Sequence, residues 1–213
     1  MARKTAVSQP KRRARGRPAH SSKQIADMRV HISACALHLF LEEGYAAISM
    51  RRLAQEAGCA VMTLYKYFDN KIDVLRSLWA DVFDELFDGL EETASQETEP
   101  VTRLNTIALG YVSYWLEHRE RYFMVFMSGG ISKADVVGFV SEGPSLARFE
   151  MLRTNLGAAL GGGTDAETLQ LKTDLLLCVL NGIAHNLITI NGYPWSDPET
   201  LVHQAISGLL ATA

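Results

Sequence analysis

From Ile25 onward, apolar residues recur at intervals of three and four along most of the chain, and no stretch alternates apolar and polar long enough to make a strand. The pattern predicts an all-α protein. A first helix starts at a capping Ser21 or Ser22, carries Ile25, Met28, Ile32, Ala36, Leu39 and Phe40 on one stripe, and stops at Gly44. Ser49 caps a short second helix ending at Ala57, Gly58 turns the chain, and a third short helix covers 61–68. Asn70 caps a longer fourth helix with a broad stripe of Leu75, Leu78, Trp79, Val82, Phe83, Leu86, Phe87 and Leu90.

Beyond a polar break at 95–100, helical periodicity returns at 104–116 and 122–127. Residues 128–144 are glycine-rich, end in Pro144, and read as a long loop. One helix follows at 145–160, then Gly161, Gly162 and Gly163, then helices at 166–190 and 198–210. Ser196 and Glu199 have the spacing of a capping box for the last helix, and Pro198 suits its first turn. Three units result: a disordered basic arm at 1–20, a three-helix unit at 21–70 and a larger helical domain at 71–213, with the fourth helix shared.

With 213 residues and 47% apolar content, the chain has ample material for a packed core. The longest apolar run, 175–180, is interrupted by Asn181, His185 and Asn186, so no membrane span is predicted. The first twenty residues lack the apolar stretch of a secretory signal, and the protein is expected in the cytoplasm. Cys35, Cys59 and Cys178 are widely spaced and form no zinc pattern with the scattered histidines, so neither structural metal, disulfide nor cofactor is expected. Cys35 and Cys178 read as core. Cys59 reads as a small buried residue, with an oxidation switch as the less favoured alternative.

Charge changes the picture most. Residues 1–71 hold 13 Lys/Arg against 5 Asp/Glu, and residues 72–213 hold 8 against 19. A basic first third joined to an acidic remainder is expected where one end of a molecule meets a polyanion, and nucleic acid is the leading candidate. A short helix, a glycine turn and another short helix form the hairpin of a helix-turn-helix. On the third helix Val61, Leu64 and Phe68 share a face, leaving Met62, Thr63, Tyr65 and Lys66 on the opposite side. Hydroxyls, a cation and a methyl-bearing chain suit the base edges of a major groove. Arg51 and Arg52 add cations at the second helix, and Lys71 with the free N–H groups of the fourth helix would hold phosphates. In the arm, Arg15-Gly16-Arg17-Pro18 resembles the core of an AT-hook, a minor-groove reader, and competes with the reading of a loosely bound tail.

The stretch 49–71, SMRRLAQEAGCAVMTLYKYFDNK, resembles the DNA-binding signature of the TetR family, with Leu53, Ala54, Ala57, Gly58, Thr63, Leu64, Tyr65, Tyr67, Phe68 and Lys71 at matching places. The likeness covers 20–90 closely and the remainder only in helix layout. It implies groove or base contacts from Arg51, Thr63, Tyr65 and Lys66, and phosphate contacts from Tyr67 and Lys71. Ser49, Arg52, Met62, Arg15 and Arg17 complete the DNA-facing candidates. Ala60 stands where a capping Ser or Thr is usual, Val61 where a Lys, Arg or Gln often sits, and Arg52 where an acidic residue is common.

The resemblance further implies a homodimer on a near-palindromic double-stranded DNA operator, acting as a repressor released by a small-molecule effector. The candidate effector lining is Trp79, Phe83, Tyr111, Trp115, Phe123, Met127, His185 and Asn186, which lacks clustered charge and so points to an apolar or aromatic ligand. A dimer seam accounts for His185 and Asn186 as well as a cavity does, and a packed core accounts for the aromatic residues. The seam itself is expected on the helices at 166–190 and 198–210. Two other classes stand beside this reading: an architectural DNA-binding protein relying on its arm, and a carrier or enzyme using the C-terminal cavity. No phosphate loop, nucleophile elbow or paired acid/base spacing supports catalysis.

Overall fold

A computed structural model of the chain describes residues 22–129 and 145–211, and among them no strand occurs. The first four helices are α1 (Ser22–Ala47), α2 (Met50–Glu56), α3 (Val61–Leu64) and α4 (Lys71–Ala94). They are followed by α5 (Pro100–Glu117), α6 (Arg119–Phe126), α7 (Ser145–Arg148), α8 (Glu150–Ala159), α9 (Ala166–Thr189) and α10 (Pro198–Ala211). An N-terminal helix-turn-helix unit is thus joined to a larger C-terminal helical domain.

Local chemistry sets most boundaries. Ser49 Oγ accepts the Arg52 N–H at 3.1 Å to cap α2, and Asn70 Oδ1 accepts the Asp73 N–H at 3.0 Å to cap α4. Glu99 accepts from the Val101 and Thr102 amides at the head of α5, and Asp165 from those of Glu167 and Thr168 at the head of α9. At α10 the predicted capping box is replaced. Asp197 accepts the Thr200 N–H at 2.9 Å and the Thr200 hydroxyl at 2.7 Å, because a carboxylate one residue before Pro198 reaches the free amides directly.

Three further predictions shift. Gly44 breaks α1 as expected (φ 76°, ψ 163°), but helical turns resume to Ala47. The third helix closes at Leu64 rather than Phe68: Lys66 N–H bonds Thr63 O and Tyr67 N–H bonds Leu64 O, a tighter three-residue repeat. The helix expected at 145–160 is divided at Phe149. The predicted loop 128–144 lies outside the described residues from 130 onward.

The C-terminal core is built around α5, which packs on α4, α8, α9 and α10 and buries Leu104, Ile107, Ala108, Tyr111, Val112 and Trp115. A Cβ at Gly110 would lie 2.7 Å from Leu90 Cδ2, so the glycine lets α4 and α5 approach closely. Lys172, only 8% exposed, donates from Nζ to Leu209 O at 2.7 Å and places its charge at the carbonyl end of α10. Taken whole, α9 is apolar and long enough to cross a membrane by length and composition alone, a property its short apolar run hid. One face of α9 packs on α5, α8 and α10, while another leaves Leu171 and Leu175 exposed.

Candidate nucleic-acid interface

Leu53 and Ala54 of α2 and Leu64 of α3 are buried in one core with Ile32, Ala36 and Leu39 of α1, and α2 packs on both α1 and α3. Gly58 adopts φ 62° at the turn, a left-handed conformation that glycine takes at little cost. Ala60 forms no side-chain cap, so the first amides of α3 are served only by the local backbone. With Leu64 inward, the opposite face of α3 is presented outward: Met62 is 74% exposed, Tyr65 45% exposed, Lys66 exposed and Thr63 half-buried. Arg51 is exposed beside them on α2.

Other candidates are committed inside the molecule. Ser49 spends its hydroxyl on the α2 cap. Arg52 reaches Glu43 and Glu56, each at 2.8 Å, and these two carboxylates raise its pKa further. The Lys71 ammonium bonds Tyr45 O and sits 3.8 Å from the Tyr45 ring centroid, and burial lowers its pKa. Tyr67 is 9% exposed, its ring within the core, so any phosphate contact falls to its hydroxyl tip. Arg15 and Arg17 lie outside the described residues.

The residue pattern did not single out Arg29. Its guanidinium donates to Tyr67 O at 2.5 Å and lies 4.4 Å from the Phe68 ring centroid, tying α1 to the segment after α3. The available signal was a cation beside the Met28/Ile32 stripe of α1. It braces the segment that follows α3.

Residues 32–78 match the family model described as bacterial regulatory proteins, tetR family. This segment is therefore similar to the DNA-binding domain of the tetR family. The chain is 25% identical over 141 residues to the HTH-type transcriptional regulator HbdR of Aromatoleum sp. (strain CIB), covering 66% of this chain and 61% of that protein. It is 33% identical over 79 residues to the HTH-type transcriptional repressor KstR of Mycolicibacterium smegmatis (strain ATCC 700084 / mc(2)155), covering 37% of this chain and 39% of that one. Less than two thirds of each of these curated relatives is thus spanned. In fold it resembles the transcriptional regulator FadR from Bacillus subtilis in complex with stearoyl-CoA, with a TM-score of 0.69, 18% identity, and coverage of 86% of this chain and 98% of that chain.

The candidate effector residues fall into two groups. Trp79, Phe83, Tyr111 and Trp115 are buried, and Trp115 meets Phe83 at 6.0 Å and Tyr111 at 6.2 Å between centroids, edge to face. Two polar pairs cross from this cluster to α9. The Tyr111 hydroxyl donates to Asn181 Oδ1 at 3.0 Å, and Tyr122 Oη lies 2.8 Å from His185 Nδ1. Burial pushes the Tyr111 phenol up to about 12. Asn181 and Tyr122, missed from the pattern, are therefore the partners that hold this wall. Asn186 is half-buried on the same helix, and its carbonyl accepts the Ile190 N–H.

Phe123 reaches that cluster at the Tyr122 ring, 6.2 Å between centroids, but its exposed side and Met127 face elsewhere. Phe123 and Met127 are 45% and 49% exposed and line a separate groove of about 380 Å³ with Phe40, Leu41, Gly44 and Tyr45, where α6 meets α1. A second groove, of about 590 Å³, lies between α1, α4 and α6, with Arg29, Asp81, Glu85 and Arg121 among its lining residues. Burial raises the Asp81 carboxyl above its usual range, with Asp84 adding to the effect. Cys178, expected in the core, is exposed on α9.

Proposed function

We propose that this chain is a sequence-specific DNA-binding transcriptional regulator, a homodimer that represses until a small apolar or aromatic effector releases it from its operator. One observation carries the DNA reading: α3 packs on α2 with Leu64 buried and turns Met62, Tyr65 and Lys66 outward, with Arg51 alongside. These side chains suit donor, acceptor and methyl recognition in a major groove. Lys71, held at Tyr45 but half-exposed at the head of α4, is placed to add a phosphate contact beside them.

Dimerisation is supported by α9, where Leu171 is 68% exposed, Leu175 is 50% exposed and Cys178 follows at the next turn of the same face. The apolar residues Val202, Ile206 and Leu209 of α10 face the chain's own core, so α9 supplies most of the apolar seam. For the effector, the aromatic wall between α5 and α9 offers apolar area with a few fixed polar groups. A long-chain acyl thioester is the first compound class to try, because the fold neighbour FadR is described in complex with stearoyl-CoA. Coupling runs through α4, which begins at the reading unit and is held to α6 by the Trp79 Nε1 donation to Met124 O at 3.4 Å. An effector acts this way only by preferring the conformation that does not bind DNA.

Selection of bound duplexes from a random pool, with sedimentation of the free protein, tests the reading. The expected result is a dimer and an approximately palindromic site whose halves lie about 34 to 36 Å apart, or a multiple of that. A monomer at micromolar concentration, or a pool that stays random, overturns it.

A further inference from the structure

Two cysteines and a histidine lie where α1 supports the helix-turn-helix turn. His31 and Cys35 are one turn apart on α1, with His31 Nε2 3.8 Å from Cys35 Sγ. The same imidazole nitrogen lies 3.3 Å from Ala57 O, the residue that ends α2. Cys59 follows two residues later, in the turn itself. Both thiols are half-buried and pack on the edge of the same core. Cys59 is near enough that its thiolate charge raises the Cys35 pKa, after the larger effects of burial and of Glu56.

We propose that Cys35 and Cys59 are a peroxide-responsive thiol pair whose disulfide ties α1 to the helix-turn-helix turn and weakens operator binding. The effect on DNA rests on the regulator reading above, whereas formation of the bond does not. Cys59 is the attacking sulfur and Cys35 the resolving one, because His31 Nε2, 3.8 Å from Cys35 Sγ, is placed to take the Cys35 proton. Its thiolate attacks the outer oxygen of a hydroperoxide: an S–O bond forms, the O–O bond breaks, and water or an alcohol leaves. The Cys59 sulfur is thereby oxidised by two electrons to the sulfenic acid. Cys35 then passes its proton to His31 and attacks that sulfur. The S–S bond forms, the S–O bond breaks, and the departing hydroxide takes up the proton as water. One peroxide is reduced for each disulfide made.

The consequence follows from position. A disulfide imposes a Cα separation of about 5.5–6 Å and a fixed torsion. It would impose them on the residue just before Ala60, whose carbonyl accepts the first α3 bonds, from Thr63 N–H at 2.8 Å and Leu64 N–H at 3.2 Å. Gly58, with no Cβ contact nearby, is the point where the turn can yield. Any rotation there is carried into the outward face of α3.

The test treats the full-length protein with hydrogen peroxide, maps disulfides by peptide mass spectrometry without reduction, and measures duplex binding before treatment, after it, and after dithiothreitol. The expected outcome is an intrachain Cys35–Cys59 peptide, an operator affinity lowered at least tenfold, and recovery on reduction. Cys35→Ser and Cys35→Ala, each checked for helical content, should form no such peptide and keep their affinity through the treatment. The proposal is overturned if Cys35 and Cys59 both stay alkylatable, if the disulfide forms with affinity unchanged, or if the Cys35 variants lose binding as the unmodified chain does. Reduced protein without sequence preference would refute the regulator reading instead, while the mass map still decides whether the bond forms.

Discussion

The two ends of this molecule use the same kinds of side chain in opposite directions. In the helix-turn-helix unit the short helices have little apolar surface to hide: Leu64 fills the core, while Met62 and Tyr65 on the same helix face outward. In the C-terminal domain Tyr111, Trp115 and Met124 are fully buried, and the hydroxyl of Tyr111 is used on Asn181. The first arrangement leaves chemistry available to a large polyanion, and the second conserves it for packing and for whatever enters between helices. Charge follows the same division, since the basic residues concentrate before residue 72 and the acidic ones after it.

The sharpest way to break the comparison is to make the same truncation on each side. Trp115→Ala removes a side chain at 0% exposure and should cost about 3–5 kcal/mol in urea unfolding. Met62→Ala removes one at 74% exposure, and should leave stability within about 0.5 kcal/mol while lowering specific DNA affinity. Equal stability losses would mean that α3 is not an outward reading face.

A smaller effect distinguishes how the helices are started. Asn70→Ala deletes the neutral cap of α4 and should cost about 1 kcal/mol, read from the midpoint of a denaturant titration. The caps of α5, α9 and α10 are instead the carboxylates Glu99, Asp165 and Asp197, each held below its usual pKa by hydrogen bonds from the Thr102, Thr168 and Thr200 groups first of all. Groups of this kind contribute fully above the ordinary carboxylate range, near pH 4, and their contribution is lost as pH falls through the lowered value. Amide exchange measured down to pH 3 should therefore show the heads of α5, α9 and α10 loosening before the caps at Ser49 and Asn70, which do not titrate. Uniform loosening would contradict the assignment.

What was legible in the sequence follows from this division. Ser49, Gly58 and Asn70 could be read because capping and turn chemistry are local, and the outward face of α3 followed from helical spacing alone. The Ser196 capping box failed for a local reason, a stronger acceptor at Asp197. Arg52 and Lys71 are held by groups distant in sequence: Glu43 lies nine residues before Arg52, and Tyr45 lies 26 before Lys71. Glu56, four residues after Arg52, lay within helical spacing, but Glu43 and Tyr45 could not be seen from the hairpin alone. The effector group was the least legible. Composition placed Phe123 and Met127 beside Trp115, but α6 turns them toward Phe40 and Tyr45 of α1. Packing between α5 and α9 chose Asn181 and His185 as the polar wall, and no spacing along one helix encodes that choice.

The central claim is that α3 reads sequence. It is tested most directly by the ratio of affinities for a selected duplex and a scrambled one, measured at one salt concentration for the unmodified chain and for Lys66→Ala. The account predicts a ratio of about 10³ or more for the unmodified chain. Lys66→Ala should lower that ratio by about 1 to 3 kcal/mol, roughly five- to a hundredfold, with scrambled binding changed much less. A ratio near one in the unmodified chain, or an equal loss on both duplexes in the variant, would contradict it.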